Sequence, residues 1–236
     1  MILILKTGST AENIKNVHGD FEDWISNKMA LTKSEYHVHF VDDYDTPPLD
    51  LKYSGIVITG SPLMVTDMKL IDSKLCTWLL DKQKAEVPIL GICFGHQLLN
   101  IINGGIVGNN DLGYIIGSRV TNLTIPGKED ELLKDLPEKF NAFKTHSQSI
   151  HEIPESSVIL SKSNSGIIDA IRFSTKAWGV QFHPEFNSDI MQMYIENKKD
   201  RLISEGIDSE IISSYAGTID YGDKILKRFK YIINNA

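Results

Sequence analysis

Short apolar runs separated by amphipathic stretches set the rhythm of this chain. "ILIL" (2–5), "HVHFVD" (37–42), "SGIVITG" (54–60) and "VPILGIC" (87–93) are short, apolar or alternating, and set off by polar and turn-forming residues. That pattern predicts strands. Ile71, Leu75, Trp78, Leu79 and Ala85 recur at helical spacing and predict a helix over 70–84. "GHQLLNIINGG" predicts another, stopped by Gly104 and Gly105. Strands alternating with helices predict an α/β fold, with a mostly parallel central sheet and helices on both faces. Beyond residue 117 the pattern turns more β-like, through "SRVTNLTI", "SVILSKS", "GIIDAIRF" and "AWGVQFHPEF", punctuated by Pro126-Gly127 and Pro137. From Asp189 onward, amphipathic helices are expected near 189–205, 208–216 and 219–234. No repeat, low-complexity tract or Ser/Gly/Pro-rich linker divides the chain, so residues 1–236 are expected to form one domain with a helical extension from about 189.

Composition narrows the classes. With 236 residues, a single domain buries roughly 70–75% of its unfolded surface and needs no metal or disulfide staple. The net charge of −7, with no basic run to offset it, argues against a nucleic acid or an anionic membrane as partner. Two cysteines, Cys76 and Cys93, suit a reducing compartment. The four apolar residues after Met1 are too few for a signal peptide, and no segment approaches the ~20 apolar residues of a membrane span. A cytoplasmic protein is the expectation.

Chemistry concentrates at Gly91-Ile92-Cys93-Phe94-Gly95, where a strand runs into a helix. A tight strand-to-helix turn strains its central residue, and glycines two positions either side remove the Cβ atoms that would collide. The turn also sets Cys93 at a helix N-terminus, which favours thiolate over thiol. The Phe94 N–H then points where an oxyanion would form. Buried structural cysteines are common, so this spacing alone leaves nucleophile and core cysteine both open. Cys76, mid-helix on the apolar stripe, is expected to be core.

A cysteine nucleophile needs a base, and the base an orienting group. His18, His37, His39 and His151 sit in polar or alternating contexts, and His96, on the helix after Cys93, could touch the site but equally suits a packing or capping role. His183 differs. It ends an apolar strand in His183-Pro184-Glu185, and positions i and i+2 of an extended segment face the same way. Glu185 is therefore expected beside the imidazole, with Pro184 stopping the strand.

These residues resemble a known family, the class I (triad) glutamine amidotransferases. "GICFGHQLL" is similar to its nucleophile elbow and "GVQFHPEF" to its second signature. "GIVITGSP" (55–62) resembles its oxyanion strand, "DLGYIIGSRVTNLT" (111–124) the segment after the elbow helix, and "FKTHSQSI" (143–150) its glutamine-site loop. The resemblance implies a flavodoxin-like fold with Cys93 as nucleophile, His183 as general base and acid, and Glu185 as orienting carboxylate. It implies an oxyanion hole from the N–H groups of Gly60 and Phe94. Substrate contacts are implied at Ser61, Gln97, Ser147 and Gln148, with no metal or cofactor.

Within the family the chain looks nearest to the amidotransferase portion of GMP synthase and its stand-alone relatives. Neither an ATP-pyrophosphatase loop of the Ser-Gly-Gly-x-Asp-Ser kind nor a Walker-type phosphate loop is present. "SNSGIID" (163–169) reads as a turn around Gly166. Two enzymatic readings follow: release of ammonia from glutamine for a synthase partner, or hydrolysis of a γ-glutamyl peptide or amide by the same thioester chemistry. A non-catalytic regulatory or binding role on the same fold is a third, disfavoured because Cys93, His183 and Glu185 are all present.

Overall fold

A computed structural model describes residues 1–41, 45–67, 73–206 and 221–236. Its strands are β1 (Ile2–Lys6), β2 (Tyr36–Phe40), β3 (Gly55–Ile58), β4 (Ile89–Ile92), β5 (Ile106–Asn109), β6 (Ile115–Leu123), β7 (Lys139–His146), β8 (Gln148–Glu152), β9 (Val158–Ser163), β10 (Ile168–Ser174) and β11 (Ala177–Val180). Its helices are α1 (Glu12–His18), α2 (Phe21–Lys28), α3 (Lys74–Lys84), α4 (Phe94–Ile102), α5 (Ile125–Glu129), α6 (Ser188–Asn197), α7 (Lys199–Ser204) and α8 (Gly222–Asn234).

A nine-stranded sheet runs in the order β2-β1-β3-β4-β11-β10-β9-β6-β7, and β5 pairs with β8 apart from it. β2, β1, β3, β4 and β11 are parallel. Their order is that of a flavodoxin-like sheet, with β11 as the fifth strand. From β11 to β7 the sheet is antiparallel. Connection length explains the change. Only Thr175-Lys176 separates β10 from β11, and only Asn164–Ile167 separates β9 from β10, whereas a parallel crossover needs a dozen residues or more. The expected turn at Gly166 is the second of these hairpins, with Gly166 at φ 89°.

Alternation along β1 assigns its two faces. Ile2 and Ile4 pack with Ile25 and Met29 around α2, and with Leu226 and Phe229 of α8. Leu3 and Leu5 pack with Leu75 and Leu79 of α3 and Leu98 and Leu99 of α4. β1, β3, β4 and β11 are buried throughout because helices cover both faces, so their sequences read as continuous apolar runs. Cys76 lies in the second of these clusters.

Several boundaries differ from expectation. The predicted helix over 70–84 starts at Lys74, capped by the Ser73 side chain; Leu70 and Ile71 lie outside the described residues, as does the helix expected near 208–216. The stretch 189–205 is two helices, broken at Lys198, whose φ of −104° leaves the helical range. α1 escapes periodicity because Ile14 is its one buried residue. α2 is announced instead by Asp20, whose side chain and that of Asp23 form a capping box.

One interior feature has no apolar signature. Lys144 on β7 and Asp169 on β10 are 1% and 0% exposed, and Lys144 Nζ lies 2.6 Å from both carboxylate oxygens. Thr121 donates to the same carboxylate at 2.9 Å. Burial is the largest influence on each charge, pushing Lys144 down and Asp169 up, and each partner's charge opposes the shift.

Candidate active site

In an open α/β sheet the crevice lies beyond the carboxyl ends of the strands, where the strand order reverses. Here β1, β3, β4 and β11 end together. The segments that follow them carry Thr7, Gly60, Cys93 and His183.

Cys93 sits between β4 and α4 at φ 50° and ψ −98°, a conformation that strains any residue with a Cβ. The flanking glycines are what allow the turn. A Cβ on Gly91 would lie 2.4 Å from the Gly95 carbonyl oxygen, and one on Gly95 would lie 2.6 Å from that of Ile58. The Cys93 N–H donates to the Val180 carbonyl at 2.8 Å, tying the turn to β11. The sulfur accepts from Gln181 Nε2 at 3.5 Å and lies 3.9 Å from the Thr145 carbonyl oxygen, to which the thiol donates.

His183 is 3% exposed, with its ring stacked 4.2 Å from that of Phe186 and 6.4 Å from that of Phe21. Nδ1 lies 2.7 Å from Glu185 Oε1, and Glu185 is 1% exposed. The His183–Glu185 proximity was expected from an extended segment, and that expectation needs correction. β11 ends at Val180, and residues 181–186 bend and turn, with the Phe186 N–H donating to the His183 carbonyl at 3.3 Å. Pro184 promotes this turn because it supplies no N–H for a ladder. A Cβ on Gly60 would come within 2.9 Å of His183 Cε1, so glycine there lets the β3 loop meet the imidazole.

Cys93, Phe94 and His183 open on one cavity of about 390 Å³. Ser61, Gln97, Ser147 and Gln148 line it too. Their side chains are partly committed elsewhere. Gln97 Nε2 donates to the Gln148 carbonyl at 2.8 Å and to Gln181 Oε1 at 3.1 Å, so it aligns the amide that meets the sulfur. Ser61 Oγ donates to the Thr7 carbonyl and shapes its own loop. Gln148 Nε2 donates to Thr66 Oγ1 and Asn109 Oδ1. The predicted loop around 143–150 is in fact strand, bend and strand, with Ser147 at the bend between β7 and β8. A larger hollow of about 850 Å³ adjoins Tyr114 and His146 but contains neither Cys93 nor His183.

Sequence reasoning missed Gln181, Tyr114, His146 and Tyr194. Gln181 stood inside "GVQFHPEF", where its amide could have been read as a polar group two residues from the imidazole. His146 is buried between the Gln148 carbonyl (2.9 Å) and Asn110 Nδ2 (3.2 Å). Burial pushes it down to about 3, against the pull of that carbonyl. His96 is buried away from the cavity and pushed down to about 3, by burial first and His146 second; of the roles open to it, packing holds and contact with the site does not.

The sequence matches the description "Glutamine amidotransferase class-I" over residues 13–201. The chain belongs to the class I glutamine amidotransferase family. The chain is 36% identical over 132 residues to a glutamine-hydrolyzing GMP synthase subunit from Methanocaldococcus jannaschii, covering 56% of this chain and 64% of that one. The match thus spans just under two thirds of that relative's length. Gamma-glutamyl peptidase 3 of Arabidopsis thaliana is 31% identical over 190 residues, covering 77% of this chain and 75% of the relative. A solved glutamine amidotransferase from Thermotoga maritima shares the fold, with a TM-score of 0.73 at 21% identity over 98% of this chain and 96% of that one.

Three buried histidines, His96, His146 and His183, diverge in charge. Burial would lower His183, yet Glu185 and then Cys93 push it up to about 10, so it carries a proton at neutral pH while His146 and His96 do not. A raised pKa stabilises the fold fully below the unfolded value of 6.5, and that stabilisation is lost as pH climbs through about 10. Thermal midpoints measured across that window are expected to fall for the parent and to fall less steeply for Glu185→Gln. Parallel pH slopes in the two proteins would contradict the buried His183–Glu185 ion pair.

Proposed function

We propose that this chain cleaves the γ-amide of glutamine or of a γ-glutamyl compound through a thioester on Cys93. One observation carries the reading: the strained Cys93 opens on the same cavity as His183, whose ring is held from behind by the buried Glu185 carboxylate. The Cys93 thiolate attacks the γ-carbonyl carbon, and the N–H groups of Gly60 and Phe94 receive the oxyanion. Losing one such donor typically raises the barrier by ~2.7–4 kcal/mol. His183 Nε2–H gives its proton to the departing nitrogen as the C–N bond breaks. His183 then takes a proton from water, whose oxygen displaces sulfur from the γ-glutamyl carbon. Glutamate leaves and the thiolate is restored. Glu185 holds the ring and its charge throughout, and Gln181 donates to the sulfur.

The relatives' names support both leaving groups: ammonia, by likeness to a glutamine-hydrolyzing GMP synthase, and an amine, by likeness to a γ-glutamyl peptidase. In the first case a synthase partner consumes the ammonia. The presence of Cys93, His183 and Glu185 together speaks against the non-catalytic reading. Among the described residues no helix is long and apolar enough to cross a membrane.

The test is glutamate release from glutamine and from a panel of γ-glutamyl amides, with mass spectrometry of acid-quenched protein. Glutamate and a γ-glutamyl adduct on the peptide bearing Cys93 are expected. Turnover without that adduct, or an adduct on Cys76, would refute the mechanism.

A further inference from the structure

The rim of the cavity is charged on one side only. Among its described lining residues Lys198 and Arg201 are cations, and no carboxylate faces them from within the lining. Arg201 already has a partner: its Nε lies 2.8 Å from Glu205 Oε1, and its guanidinium covers the Tyr114 ring at 4.2 Å. The Lys198 ammonium makes no ion pair with the described residues, although the side chain is half-buried.

The rim is fixed in place. Tyr194 on α6 hydrogen-bonds Thr10 at 2.8 Å, and Asn13 and Asn197 exchange amide hydrogen bonds at 2.8 and 3.0 Å. Lys198 caps α6, its N–H donating to the Tyr194 carbonyl at 3.1 Å, and both residues line the cavity. Tyr194 in turn packs on Phe186 at 4.8 Å, and Phe186 on His183 at 4.2 Å. Lys198 and Tyr194 line the same cavity as His183, and the Tyr194–Phe186–His183 contacts set α6 beside the imidazole.

Position gives the cation a meaning, resting on the thioester reading above. His183 hands its proton to the departing nitrogen, so whatever that nitrogen carries lies toward α6. Ammonia offers Lys198 nothing. An amino acid or peptide joined through its nitrogen carries a carboxylate nearby, and a cavity of about 390 Å³ falls in the ~300–1,000 Å³ range of small-molecule sites. We propose that Lys198 is a specificity-determining residue that receives an anionic group on the leaving amine, so that the preferred substrates are γ-glutamyl amides of amino acids or short peptides. In the step itself the C–N bond breaks, the His183 proton passes to nitrogen, and the amino acid departs with its carboxylate ionised and paired to Lys198.

Two substrates of matched size separate this from a general role: γ-glutamylglycine, which carries the carboxylate, and γ-glutamyl ethylamide, which does not. The parent is expected to favour γ-glutamylglycine in kcat/KM by roughly two- to fivefold, the worth of a part-exposed ion pair. Lys198→Met is expected to bring that ratio close to one, chiefly through KM. A parent ratio near one, or an equal loss on both substrates in Lys198→Met, would overturn the proposal; the equal loss would assign the lysine to the glutamyl end instead. Calorimetric binding of both compounds to Cys93→Ala, with and without Lys198→Met, reads the same preference without turnover. A binding preference that Lys198→Met erases, in a parent that turns over neither compound, would sink the thioester chemistry and uphold the rim assignment.

Discussion

Alanine at position 93 is expected to lower kcat/KM for glutamine and γ-glutamyl amides by on the order of 10⁴- to 10⁶-fold, the usual scale for losing a covalent nucleophile. That corresponds to ~5–8 kcal/mol of transition-state stabilisation. On the proposed mechanism the loss falls on the chemical step, because the substitution leaves Gly60, Phe94 and the cavity walls in place. Alanine keeps the Cβ, so the turn at φ 50° is unchanged and the thermal midpoint is expected to stay near the parent's. Glu185→Gln is expected to cost less, since Glu185 touches His183 and not the reacting atoms. Glutamate release by the purified variants measures both. A Cys93→Ala protein within ~10-fold of the parent would remove this cysteine from the reaction.

Asp169→Ala is expected to destabilise the fold by about 3–5 kcal/mol, because it strands a lysine that is almost fully buried. For a domain of this size the thermal midpoint falls by roughly 2–4 °C per kcal/mol, so a drop of about 6–20 °C is expected. Pairing it with Lys144→Met, which removes the orphaned charge, is expected to recover most of the loss. If the double variant melts no higher than Asp169→Ala alone, the damage lies in packing and not in charge. Lys144 immediately precedes Thr145, whose carbonyl meets the Cys93 sulfur, so Asp169→Ala is also expected to loosen that contact.

β1, β3, β4 and β11 were legible in the sequence because they are buried on both faces and read as apolar runs, and the part-buried β2 was legible by alternation. Cys93 was legible because two glycines carried a steric reason, which the Gly91–Gly95 approach supplies. His183 and Glu185 were legible as neighbours, though for an extended geometry that the chain does not adopt. The antiparallel half was legible as β-rich but not in its order, since pairing between β6, β7 and β9 depends on contacts far apart along the chain. The Lys144–Asp169 pair was invisible because nothing in a lone lysine and a lone aspartate announces that they meet. Lys198 stood in "NKKDR", which reads as a solvated helix face. The structure instead puts it at the break between α6 and α7, in the lining of the cavity.

The backbone at Cys93 exacts its toll in every folded molecule, with or without substrate. Holding a side-chain-bearing residue there forgoes about 1–3 kcal/mol that glycine at the same spot would recover. The same chain with glycine at 93 would thus be the hardier protein and a chemically mute one. The gap between those two properties is how far this architecture sits below its own ceiling of thermal endurance in order to keep a sulfur standing clear.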